Sequence, residues 1–409
     1  MAYSVSHIAY RVSHHASRIT LSAICHPLSA ICYKLMTTYL QTHRAQIWRN
    51  FDITLLALVA ILTIGGIAMI RSATFESPQL ANLPFVQIRW ALIGLAVIFV
   101  VAAIDYRYWK AFAQPLYVFV IVWLALVFIL GAVAFGATRW VDFFGLFFIQ
   151  PSEMAKIGTI IWTAEYFSRN REHIKELKWV IASGVYSGIP AALVIAQPDL
   201  STAIIIIIIW GAMIFAAGLE WKHIALFVGI GVVILPFIFL VMPDYQRARI
   251  LQFINPETNS GAQYNIQQAL ISIGSGGLFG QGYNHASQVN LRFLKVRHTD
   301  FIFSALSSEF GFIGSMFVVL MLALVIIRIL RVARTTTDPF GGLICYGTAA
   351  MLFYQAFFNI GMNMNVLPVT GLPLPFVSYG GSALLTFLFS IGLVESVALR
   401  SKEQQSSYQ

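Results

Sequence analysis

Apolar positions run in long, unbroken stretches along most of the chain, separated by short polar segments. A run such as AIIIIIIWGAMIFAAG has none of the apolar–polar alternation of a membrane β-barrel strand, so it predicts helix. Ten stretches are long enough to cross about 30 Å of hydrocarbon at about 1.5 Å per residue. They fall near 52–70, 86–104, 112–134, 151–167, 178–196, 199–217, 222–242, 301–328, 339–362 and 374–398. The expected fold class is all-α: a polytopic transmembrane helix bundle of about ten spans, with a long extracytoplasmic loop over 243–300. The patterned stretch IQQALISIG predicts a short helix in that loop, packed over the outer end of the bundle.

Composition agrees with that pattern. The 409-residue chain is 58% hydrophobic and 11% charged, with a mean hydropathy of +0.76, against about 25% charged residues in soluble domains. The formal net charge is +9. In a membrane protein that excess is read by position, not as a nucleic-acid footprint, because Lys and Arg collect on the cytoplasmic side. Placing both termini inside puts DYRYWK, SRNREHIKELK, EWKH, RILRVARTTTD and RSKEQQ in the cytoplasm. The Gly- and Asn-rich 243–300 loop is then outside. Residues 1–50 form a basic cytoplasmic tail without an acidic residue, suited to anionic membrane lipid. Residues 51–400 form the transmembrane domain and 401–409 a short inner tail. Cys25, Cys32 and Cys345 have no disulfide or metal-ligand spacing.

Three outer helix starts share one design: Pro151 with Glu153, Pro198 with Asp199, and Thr299 with Asp300. Proline at the first position and an acid in the first turn are ordinary start signals at an electropositive helix terminus. Two observations suggest more. Glu153 and Lys156 are three apart and share a face of a helix entering the membrane, either as a self-neutralising pair or as the lining of a hydrated cleft. Glu309 lies nine residues after Asp300, about 13 Å deeper. Complementary charge comes from Arg139, from Arg247 and Arg249, and from Arg292, Lys295 and Arg297. Singly these suit headgroup contact; as a group they suit the oxygens of a phosphate-linked lipid head. The glycine-rich SIGSGGLFGQGY and VSYGGSALL permit tight turns or close backbone approach.

In order along the chain stand RW with QPSEMAK, QPDLSTA, YQRARILQFINPE, YNIQQALISIGSGGLFGQGY, HTDFIFSALSSEFGFIG and LPVTGLPLPFVSYGGSALL. Over about residues 50–400 the chain resembles the shape, elongation, division and sporulation (SEDS) family, and its GMNMNVLPVTGLPLPFVSYGG is most similar to the RodA branch. Two departures stand out: LRFLKVRHTD approaches Asp300 differently, and Ser382-Ala383 replaces a serine pair.

The resemblance implies an inverting peptidoglycan glycosyltransferase. It would polymerise lipid II, a disaccharide-pentapeptide on undecaprenyl pyrophosphate, into β-1,4 glycan strands at the outer face of the cytoplasmic membrane, beside a class B penicillin-binding protein. It places the catalytic role on Asp300, as a base or as the ligand of a divalent cation (Mg or Mn). Glu153, Lys156, Arg139, Arg247 and Arg249 would bind substrate. Two other functions are open to a lipid-handling bundle. A lipid II flippase needs a polar path, for which Glu309 is the best candidate, and a non-catalytic scaffold would not need Asp300.

Overall fold

In the computed structural model the chain divides into two compact units, Met1–Asn50 and Phe51–Gln409. The described residues are 48, 50–75, 77–130, 132–134, 137–143, 147–174, 176–242, 244–254, 260–291, 293–294 and 296–406. The basic tail expected over 1–50 lies almost entirely outside them.

Helices occupy all ten expected spans. In chain order they are α1 (Ile53–Thr74), α2 (Leu83–Ala103), α3 (Tyr106–Leu130), α4 (Pro151–Arg169), α5 (Leu177–Ala196), α6 (Leu200–Ala216) and α7 (Trp221–Val241). Next come α8 (Asp244–Ile254), α9 (Ser260–Gly276) and α10 (Ser287–Asn290), then α11 (Ile302–Thr335), α12 (Pro339–Asn363) and α13 (Gly381–Ser406). Among the described residues seven helices are long and apolar enough to cross a membrane: α1, α2, α3, α5, α11, α12 and α13. α6 is apolar but shorter, and α4 carries Glu153, Lys156, Glu165 and Arg169. In α13 every residue from Ser390 to Ser401 is buried, including the polar Ser390, Glu395, Ser396 and Arg400.

Three expectations need correction. The segment after α3 is not a plain loop but a small antiparallel meander of β1 (Ala132–Ala134), β2 (Ala137–Phe143) and β3 (Phe147–Ile149). Val141 faces Ile149 across its second pair. Among its described residues the 243–300 loop contains three helices, α8, α9 and α10, where one short helix was expected. The last span begins at Gly381, not near 374. Pro373 and Pro375 cannot donate backbone bonds, and the Ser378 hydroxyl accepts from the Leu374 N–H at 2.9 Å, closing a turn where helix was expected.

The structural use of SIGSGGLFGQGY becomes visible at α11. That helix is broken at Gly311, whose φ of 63° and ψ of −160° are non-helical. Backbone groups freed by a break cost several kcal/mol in an apolar setting unless paired. The 277–282 segment pairs them. Gln281 and Gly282 N–H donate to Ser308 and Glu309 carbonyls, both at 3.0 Å. In return Phe312 and Ile313 N–H donate to Gly277 and Leu278 carbonyls at 2.8 and 3.2 Å. The approach leaves no room for side chains: a Cβ on Gly276 would stand 2.0 Å from the Ser307 carbonyl oxygen, and one on Gly280 2.1 Å from that of Glu309. Glu309 is enclosed beside this seam and accepts from the Ser72 hydroxyl of α1.

Gly276→Ala should lower the thermal unfolding midpoint of the detergent-solubilised protein by several degrees, reflecting a cost of about 2 kcal/mol or more. Gly274→Ala, on the same helix with nothing within 4 Å of its added carbon, should leave the midpoint unchanged within about a degree.

Candidate active site at the start of α11

Asp300 is not the cap of α11. The cap position is Phe301. By contrast, Asp199 caps α6: its carboxylate accepts from the Thr202 N–H at 3.2 Å and from the Thr202 hydroxyl at 3.0 Å. The two acids look alike in sequence and differ in use.

What holds Asp300 is its backbone. Three successive carbonyls are gripped from α12 and the segment before α13. The His298 carbonyl accepts from the Tyr379 N–H at 2.9 Å. The Thr299 carbonyl accepts from the Ser378 hydroxyl at 2.8 Å. The Asp300 carbonyl accepts from the side-chain amides of Asn359 and Asn363 at 3.1 and 2.9 Å. The Ser378 turn is itself held from α2, where Gln87 donates to the Ser378 carbonyl and accepts from the Gly380 N–H, both at 3.3 Å.

This leaves the carboxylate of Asp300 uncommitted: among the described residues none donates a hydrogen bond to it. The backbone at Gly371 passes beside it, where an added Cβ would stand 3.7 Å from Oδ2. Burial pushes the Asp300 carboxyl up to about 6, with the Arg249 charge pulling the other way. His298 is held below the usual histidine range by burial and then by Arg297, so it is neutral at pH 7 and brings no positive charge to the site.

The other expected site residues are dispersed. Glu153 and Lys156 are together and buried in the bundle. The ammonium lies 2.8 Å from each Glu153 oxygen, also reaches the Gln355 amide oxygen at 3.4 Å, and stands 5.6 Å over the Phe387 ring. Neither residue opens onto a cleft: Lys156 is 0% and Glu153 5% exposed. Arg247 turns back to cap α7, donating to the Leu240 and Met242 carbonyls at 2.9 and 3.1 Å. Arg249, two residues on, is exposed. Arg297 is buried and donates to the Ala73 carbonyl and, at 3.1 Å, to the Ser77 hydroxyl, tying the approach to Asp300 onto the end of α1. The backbone of Arg139 lies in β2; its side chain, with Arg292 and Lys295, lies outside the described residues.

Sequence reasoning missed the amide row on α12. Gln355, Asn359 and Asn363 recur every fourth residue and are fully buried. The row runs from Lys156 at one end to the Asp300 carbonyl at the other. Amides at helical spacing inside an apolar helix were the available signal. The three outer helix starts do converge. Gln150 at the head of α4 donates to Asp199 at 3.1 Å, and Ser201 of α6 donates to the Thr370 carbonyl, one residue before Gly371, at 2.7 Å. Among the described residues no group of three or more His, Cys, Asp or Glu side chains could hold a metal ion.

Comparison with known proteins came from three directions. The family model FTSW_RODA_SPOVE, described as "Cell cycle protein", matches residues 52–403. The chain is 37% identical over 355 residues to the peptidoglycan glycosyltransferase MrdB of Escherichia coli K12, covering 86% of this chain and 95% of that protein. It is 38% identical over 369 residues to a probable peptidoglycan glycosyltransferase FtsW of Geobacter metallireducens, covering 86% and 96%. The crystal structure of the rod shape determining protein RodA of Thermus thermophilus superposes with a TM-score of 0.64 at 29% identity, covering 88% of this chain and 98% of that one. A chain from a study of the "structural coordination of polymerization and crosslinking by a peptidoglycan synthase complex" superposes at 0.75 with 27% identity, covering 87% and 98%.

Removing one member of a buried ion pair strands the other. Lys156→Met should therefore destabilise the protein by about 3 kcal/mol, and the double variant Glu153→Gln/Lys156→Met by clearly less. Thermal unfolding of the solubilised proteins, read as a double-mutant cycle, checks this.

Proposed function

The chain belongs to the FtsW/RodA/SpoVE family of cell cycle proteins and is a peptidoglycan glycosyltransferase of the RodA/MrdB kind, and from that premise we propose that Asp300 is its catalytic base. The carrying observation is a carboxylate to which none of the described residues donates a hydrogen bond, while three carbonyls around it are fixed. A sugar hydroxyl is a weak nucleophile until a base takes its proton, and a base serves best when its pKa lies near the working pH. Burial raises the Asp300 carboxyl toward that range while leaving it mostly ionised at pH 7.

The substrate is lipid II. The 4-hydroxyl oxygen of one sugar chain attacks the anomeric carbon of the other, on the face opposite the leaving group. The new C–O bond forms as the bond to pyrophosphate breaks. The electron pair leaves with undecaprenyl pyrophosphate, and the hydroxyl proton passes to Asp300. Inversion at that carbon makes the linkage β. Charge developing on the pyrophosphate calls for a cation, and exposed Arg249, whose field already reaches Asp300, is placed to supply it. A divalent ion could neutralise the same charge. Asp300 is the residue that would hold such an ion. Lys156 reaches Gln355 on the same helix as Asn359 and Asn363, and Glu153 is held by Lys156. On this reading the reaction runs on the outer side of the cytoplasmic membrane, for cell elongation and shape, with a class B penicillin-binding protein cross-linking the product.

Asp300→Asn, purified with its penicillin-binding partner and given labelled lipid II, should polymerise at least about 100-fold more slowly than the wild type; equal polymer from both would remove Asp300 from the mechanism. Because the base works ionised, the wild-type rate should be level above pH 7 and fall about tenfold per pH unit well below pH 6.

A further inference from the structure

We propose that Asn359 and Asn363 are positioning residues for the reaction: together they hold the Asp300 backbone against the Gly371–Leu372 segment and so set where the Asp300 carboxylate stands. The inference rests on the reading of Asp300 as the reacting group.

The geometry is specific. Asn359 is fully buried, and its amide nitrogen donates twice, to the Asp300 carbonyl at 3.1 Å and to the Leu372 carbonyl at 2.7 Å. One side chain thereby spans the two strips of backbone that flank the carboxylate, since Leu372 directly follows the glycine whose added Cβ would stand 3.7 Å from Oδ2. Asn363, one turn on and also fully buried, donates to the same Asp300 carbonyl at 2.9 Å and to the Asn359 carbonyl at 2.7 Å. Its oxygen accepts from the Ser304 N–H at 3.1 Å and hydroxyl at 2.6 Å, fixing the first turn of α11 as well.

A primary amide can do this and the alternatives cannot. It offers two donors and an acceptor without charge, so it can satisfy carbonyls on one side and a helix N–H on the other. A carboxylate would present only acceptors to the Asp300 and Leu372 carbonyls. An aliphatic side chain would leave both without these donors. Bulk packing does not require the pair, since Leu or Met would fill the volume. Two adjacent amides aimed at one carbonyl indicate that the position of that carbonyl matters. A displacement of about 1 Å at a reacting group can cost on the order of 100-fold in rate.

The test compares wild type, Asp300→Asn, Asn359→Ala, Asn363→Ala and Thr348→Val, each full-length with its penicillin-binding partner, on labelled lipid II. Thr348 is buried on the same helix and outside the row, so Thr348→Val should leave kcat unchanged. Each asparagine variant should lower kcat about 10- to 100-fold with KM within about twofold of wild type, because ground-state binding is retained and alignment is lost. The acid limb of the rate profile should also move below pH 6, as the released carboxylate gains water. If Asn359→Ala does not fold, Asn359→Ser keeps one donor and should give an intermediate kcat and an intermediate limb. An inactive Asp300→Asn beside asparagine variants with wild-type kcat would overturn the positioning role alone. So would a lowered kcat with an unmoved acid limb, which marks general loosening. Full activity of Asp300→Asn would remove the premise and the inference together.

Discussion

Backbone groups that leave helical geometry inside an apolar bundle must find partners, and the region around Asp300 is arranged around that constraint. A continuous helix satisfies itself; a break or a non-helical approach does not, and hydrocarbon offers no water to compensate. The chain departs from helix at two places that matter, the break in α11 at Gly311 and the turn that delivers Asp300. Each is closed by a partner distant in sequence: the 277–282 segment for the break, and α12 with the Ser378 turn for the approach. Side chains hold two of the three carbonyls in the second closure, whereas the first is made by backbone-to-backbone pairing.

The same constraint separates two kinds of acid. Asp199 is consumed by capping, Glu153 by its lysine, and Asp300 is left over. Among the described residues nothing donates to its carboxylate, while other groups satisfy the backbone around it. A glycosyl transfer asks for such a group, since a carboxylate already engaged with strong donors would be too weak a base. The long loop between α7 and α11 takes part in this region of the fold. Its glycine-rich end repairs the helix that carries Asp300, and its arginines serve separate purposes: Arg247 caps α7, Arg297 ties the loop to α1, and Arg249 faces outward as charge.

Much of the candidate site was legible before the fold was known. The apolar runs located ten helices, because a span of a given thickness needs a stretch of a given length and little else. Asp300 and the Glu153–Lys156 pair stood out because ionisable residues are costly at membrane depth. The missing part was of a different kind. Gln355, Asn359 and Asn363 are uncharged, so they hardly perturb a hydropathy profile, although their four-residue spacing was there to be read. The start of α13 was misplaced because an apolar run containing Pro373 and Pro375 resembles a span in composition and not in hydrogen-bonding capacity.

By itself the sequence determined the class of the protein, the number and order of its long helices, and the short list of charged residues from which a catalytic group could come. All of these follow from local properties: hydropathy, length, and the cost of burying charge. Tertiary structure alone decided how those residues were used. Whether an acid at a helix start is a cap, half of an ion pair or a free base depends on which donors lie within about 3 Å. Asp199 and Glu153 find donors three residues on, at Thr202 and Lys156, whereas the donors that hold the backbone at Thr299 and Asp300 come from residues tens of positions away. The opening acids of α4, α6 and α11 look alike in the chain, and only the folded structure shows that the first is paired, the second caps its helix and the third has no donor among the described residues.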